Sequence, residues 1–173
     1  MPGSLIKIAE TTVSSSTASV TLTGIDSTYD VYKLVWNNVS PTTNEVDLRA
    51  RVTESGTPNT TSNYDRAVIG FRANASFLDL SSENDSSWDF GNNTGTGTSE
   101  TTNGHIYIFN ANNSSEYTLI TFEIVEVDHS QTHLGMVGGM VFTSASAVDG
   151  IQLFFDSSSD TETGTFKLYG LKK

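Results

Sequence analysis

Apolar residues recur at alternate positions along most of this chain, in short runs broken by polar residues. That period of two is the signature of strands with one buried face. LIKIAE opens the first run with Leu5 and Ile8, and ASVTLTG follows with Val20 and Leu22 on one face. YDVYKLVWNNV, residues 29–39, is the most apolar early run. EVDLRARVT alternates cleanly, with Val46, Leu48, Ala50 and Val52 opposed to Asp47, Arg49 and Arg51. YDRAVIGFRA comes next, and residues 77–80 form a short edge strand. HIYIFN leads into YTLITFEIVEVD, where Leu119, Thr121, Glu123, Val125 and Val127 oppose Ile120, Phe122, Ile124 and Glu126. MVGGMVF, GIQLFFD and TFKLYGL complete a set of about ten strands.

The segments between these runs, such as SPTTN, SGTPNTTSN, NANNSSE and DSSSDTETG, are rich in the residues that make turns. HIYIFN–ANNSS–EYTLITFEI therefore predicts a β-hairpin. Many short strands at this spacing, no helical period and no fixed repeat predict one all-β domain over 1–173. The expected architecture is an antiparallel, jelly-roll-like β-sandwich with no substantial helix. FGNNTGTGTSETTNG, at about 90–104, has no periodicity and predicts a long flexible loop, or else an arm that orders against a neighbouring subunit.

Composition narrows the function. Twenty Asp and Glu against nine Lys and Arg give a net charge of −11, which works against nucleic-acid binding and against docking on anionic membranes. The chain has no cysteine, so thiolate chemistry, disulfides and cysteine metal sites are excluded. The start, MPGSLIKIAE, lacks a basic segment followed by a long apolar one and predicts no signal peptide. No apolar run approaches the roughly 20 residues of a spanning helix.

His129 and His133 stand four apart in EVDHSQTHLGMVGGM, a spacing that binds zinc on a helix. On a strand, residues four apart lie about 13 Å from each other and cannot share one ion. A polar turn is the expected setting, and Gly135, Gly138 and Gly139 just beyond it mark a place of close approach. Asp156, Asp160 and Glu162 offer oxygens at spacings compatible with calcium, without the order of an EF-hand. Glu83, Asp85 and Asp89 are the other carboxylate group, and nothing singles out a catalytic pair from either set. No nucleophile elbow or phosphate loop is present, and the sequons at Asn38, Asn74 and Asn112 follow from composition. No catalytic residue, resident metal or cofactor is expected.

Trp36, Tyr32, Phe122, Phe154, Phe155 and Phe166 lie in apolar strands and belong to the expected core. Trp88 stands in the polar stretch SSENDSSWDFGNN and is the candidate binding residue, an exposed ring able to stack on a sugar or anchor a protein contact. The competing expectation tucks it over the sandwich edge.

The opening LIKIAETTVSSSTASVTLTGIDSTYDVYKLVWNNVSP, the central NYDRA and the closing DGIQLFFDS…GTFKLYGLKK resemble small virion structural proteins of marine tailed phages. That group includes capsid decoration proteins and tail-fibre modules. The resemblance implies a β-sandwich without catalysis, assembled as a homo-oligomer and often a trimer, with the major capsid protein or other virion proteins as partners. It implies synthesis in the host cytoplasm and residence in the virion. Because the first strand begins near Leu5, with no shaft pattern before it, a capsid decoration protein is expected ahead of a tail-fibre or glycan-recognising module.

Overall fold

A computed structural model describes residues 4–74 and 76–172. Among them are fourteen strands and no helix. The larger sheet runs β1 (Leu5–Val13), β14 (Thr161–Leu171), β3 (Val31–Pro41), β10 (Thr102–Phe109), β11 (Thr118–Val127), β12 (His133–Phe142), β6 (Tyr64–Arg72) and β7 (Phe77–Asp79). A short strand, β8 (Ser82–Asp85), also pairs with β6. The smaller sheet runs β2 (Val20–Thr23), β13 (Gly150–Phe155), β4 (Leu48–Glu54) and β5 (Thr57–Pro58), with β9 (Trp88–Asp89) beside β4. Every pairing is antiparallel.

The inner faces of the two sheets make the core. Leu34, Trp36, Ile106, Ile108, Ile120, Phe122, Phe166 and Leu168 point in from the larger sheet. They meet Leu48, Ala50, Val52, Ile151, Leu153 and Phe155 from the smaller one. The alternation in EVDLRARVT is realised in full, since Val46, Leu48, Ala50 and Val52 are all buried. This is the expected β-sandwich, with the expected β10–β11 hairpin in place and β11 paired with β12 across the polar turn that holds His129.

Three details differ from expectation. The strands number fourteen rather than about ten, and the surplus lies in pieces of two to four residues, β5, β8 and β9, where the sequence has no alternation to read. Phe154 is not a core residue: β13 turns its ring outward, and the Arg51 guanidinium sits 4.4 Å from its centroid. Finally, the expected flexible loop at 90–104 is largely packed. Phe90 lies in the core, Thr94 bridges both Val46 and Asp128, and residues from Thr102 onward belong to β10. Only residues 96–99 are fully exposed.

Candidate functional site

The packed segment is held by two buried acids, Asp89 and Glu126, and by the half-buried Asp47. Three consecutive backbone N–H groups donate to three different carboxylates. Gly91 N donates to Asp89 Oδ1 at 3.1 Å, Asn92 N to Glu126 Oε1 at 3.0 Å, and Asn93 N to Asp47 Oδ1 at 2.6 Å. Thr94 then closes the segment onto the sheets. Its N–H donates to Val46 O at 2.9 Å, its carbonyl accepts from Val46 N, and its Oγ1 lies 3.3 Å from Glu126 Oε2. Asn93 takes φ +63°, a left-handed conformation that asparagine tolerates, and its carbonyl accepts from His129 N at 2.9 Å.

Two arginines offset part of this negative charge. Arg49 reaches Asp156 Oδ2 at 3.0 Å and Asp89 Oδ2 at 3.5 Å, while Arg66 reaches Asp89 Oδ2 at 3.2 Å. Arg66 also donates to Asp89 O and to Ser82 Oγ, tying β6, β8 and β9 together. Asp156 Oδ1 accepts from Asp47 N at 3.0 Å. Burial disfavours the charged forms here. It pushes Asp89 up to about 6, with the Asp47 charge adding to the effect and Arg66 and Arg49 opposing it. Burial likewise pushes Glu126 up to about 7, against the hydrogen bond from Asn92 N. Asp47 is raised for the same reason.

Glu126 thus has the proton affinity of a general acid, but it is only 1% exposed. A catalytic acid must come within hydrogen-bond reach of a substrate, and Glu126 spends its oxygens on the segment beside it. The cluster works as a latch joining β4, β9 and β11 through residues 89–94.

The β11–β12 turn holds His129 and His133. Asp128 organises it: Oδ1 accepts from Ser130 N and Thr132 N, and Oδ2 pairs with Arg72 at 3.1 Å. His129 Nε2 lies 3.0 Å from Ser130 Oγ and 3.7 Å from Glu45 Oε1, while His133 is exposed at the start of β12. His105 is on β10, packed edge-on against Tyr107. Asp156 is committed to Arg49 and Asp47 N, Asp160 accepts from Ser16 Oγ, and Glu162 is exposed on β14. Among the described residues no three His, Asp or Glu side chains converge in a way that could hold a metal ion.

Trp88 corrects the expectation of an exposed binding ring. It is fully buried, donates from Nε1 to Val141 O at 3.1 Å, and stacks edge-to-face on Tyr64. The polar residues around it misled because β9 is only two residues long. Pairing of Ala50 with Trp88 draws the ring between the sheets, and Ser87 and Asp89 are buried with it despite their polarity.

The sequence reading missed Glu126 and Asp47 as latch residues. Glu126 had a signal, since it stands in phase with Ile120, Phe122 and Ile124 on the core face of β11. Asp47 had none, because it alternates with the outward Arg49 and Arg51 and is half-buried where Asn93 N donates to it. Neither a protein-family model nor a curated protein sequence matches the chain.

Proposed function

We propose that this chain is a non-catalytic structural protein of a phage virion, a decoration protein that binds the outer capsid surface. The observation that carries the reading is where its ionisable groups go. The buried carboxylates and their arginines are used to fasten loops to sheets, which suits a rigid binding module rather than a reaction centre. The sequence resemblance to virion proteins supplies the location. A sandwich of this size binding at many equivalent sites would hold a capsid by avidity.

Quantitative mass spectrometry of purified particles tests this. Hundreds of copies per particle are expected. A count on the order of ten would transfer the protein to the tail, and absence from particles would end the virion reading.

One observation favours a second reading, a module that recognises a host-surface glycan. A hollow of about 270 Å³ at one end of the sandwich is lined by Asp26, Tyr29, Asn110, Asn112 and Asn113, among others. The Tyr29 ring is fixed there by Tyr32 at 5.7 Å and by the bare backbone of Gly170. A fixed ring beside amides is sugar-binding chemistry. Glycan-array binding that Tyr29→Ala abolishes would establish this role in place of the first.

A further inference from the structure

On the outer face of the larger sheet, register lines up alternating side chains across four strands. Lys7 on β1 stands opposite Tyr169 on β14, Tyr169 opposite Lys33 on β3, and Lys33 opposite Tyr107 on β10. Neighbouring strands lie about 4.8 Å apart, so the two lysines of this row are about 10 Å apart. In the next row Glu10 pairs with Lys167. On the other side Leu5 pairs with Leu171 and Val31 with Phe109, and both leucines are exposed.

The chain's solvent-facing positive charge gathers here. Arg49, Arg66 and Arg72 are committed to Asp156, Asp89 and Asp128, and Arg51 lies over the Phe154 ring and donates to Ser86 O. Three of the five lysines, by contrast, stand in these rows. Glu10 is the one carboxylate among them, reached by Lys7 at 2.6 Å and Lys167 at 3.3 Å. Lys33 Nζ lies 3.2 Å from Tyr107 Oη. Three ammonium groups thus face one carboxylate, in a chain whose net charge is −11. Acids mark the limits of the patch: Glu123 on β11, Asp30 just before β3, and Glu162 toward the other end of β14.

Ammonium groups and tyrosine hydroxyls both donate hydrogen bonds. A row of four such heads fits a run of carboxylates. Exposed ion pairs contribute little to stability, so a partner's carboxylates displace Glu10 at small cost. Leu5, Leu171 and Phe109 add an apolar flank, which the side chains of a polypeptide cover and the hydroxyls of a polysaccharide do not. Glu123 and the acids beyond it on β6 and β7, Asp65 and Asp79, repel the same partner and confine it to β1, β14, β3 and β10.

We propose that the outer face of β1, β14, β3 and β10 is a docking surface for an acidic polypeptide segment that carries apolar side chains beside its carboxylates. The proposal is decided on the isolated chain and does not depend on the virion reading.

The probe is a random copolymer of glutamate and tyrosine, titrated into the isotopically labelled chain at neutral pH and followed by NMR. At about 0.02 M salt the Tyr107 and Tyr169 ring signals should shift to saturation, and at about 0.2 M salt, where exposed charges are screened, binding should weaken about tenfold or more. Lys33→Glu and Lys167→Glu should each weaken binding about fivefold or more. Lys33 packs on Tyr107, and Lys167→Glu keeps the test available where Lys33→Glu does not fold. Arg51→Glu makes the same change in net charge on the smaller sheet and should weaken binding less than about twofold. Absence of saturable binding, an equal loss in Arg51→Glu, or affinity for polygalacturonate, phosphatidylserine vesicles or duplex DNA that matches or exceeds that for the copolymer would each overturn the proposal.

Discussion

At the scale of single residues, the consequential feature is that burial raises the proton affinity of Glu126 above that of an exposed glutamate. Its ordinary value of 4.5 rises to about 7 on folding. Between those limits the folded state binds the extra proton, so stability falls as pH rises through that window and is lowest above pH 7. A shift of that size corresponds to about 3 kcal/mol. Asp89, raised to about 6, contributes with the same sign over a lower window. Urea midpoints should therefore increase from pH 8 to pH 5. In Glu126→Gln, which keeps an acceptor for Asn92 N, the slope between pH 6 and 7 should be lost while that from Asp89 persists. A variant with the parent's full slope would show that Glu126 is charged in the fold. Trp88 gives a second residue-scale expectation. Trp88→Ala should cost about 3–5 kcal/mol in urea unfolding, as large core truncations do. Trp88→Phe, which keeps most of the volume and strands Val141 O, should cost about 1–2 kcal/mol. Parent-like stability for the alanine variant would contradict burial of the ring. These two residues also mark what could be read beforehand. Glu126 was legible by its phase with Ile120, Phe122 and Ile124. Trp88 was not, because its burial depends on a two-residue strand whose partner lies 38 positions away at Ala50.

At the scale of elements, the long strands follow from alternation alone, because a strand with one wet face must place apolar residues at every second position. β4, β10, β11 and β14 were all evident on that ground. Segments whose position is set by hydrogen bonds to distant side chains were not. Residues 90–101 look like free loop in composition, yet they are anchored by Asp47, Asp89 and Glu126, which no local pattern links to them. The β6–β12 pairing offers a sharp contrast between neighbouring glycines. Gly138 faces inward against Ala67 O, so Gly138→Ala must push β6 and β12 apart and should cost about 2 kcal/mol or more. Gly139→Ala, one residue on, makes only an ordinary contact with Ile120 O at 3.7 Å and should be neutral or stabilise by about 0.5–1 kcal/mol, since alanine loses less entropy on folding. Urea unfolding of both at equal dilute concentration gives the comparison. Equal effects would mean that the two faces of β12 are not differentiated as described.

At the scale of the whole molecule, charge is distributed unevenly. Along the eight-strand path of the larger sheet the outward charges are Lys7, Lys33 and Lys167 against Glu10, Asp65, Asp79 and Glu123, so most of the net −11 resides elsewhere on the molecule. The ion pairs that fasten the interior, Arg66–Asp89 and Arg72–Asp128, are largely withdrawn from solvent and feel little screening. The surplus carboxylates on the surface repel one another at close quarters in the folded chain and less in the expanded unfolded one. Added salt therefore removes a cost that falls mainly on the folded state and takes little from the attractions that hold it. Raising sodium chloride from about 0.05 M to about 0.5 M, where the Debye length falls to a few ångströms, should raise the thermal midpoint at pH 8. The gain should shrink near pH 5, where Asp89 and Glu126 carry protons and net charge is lower. A midpoint that falls with salt at pH 8 would mean that exposed ion pairs such as Lys7–Glu10 contribute more to stability than the excess negative charge subtracts.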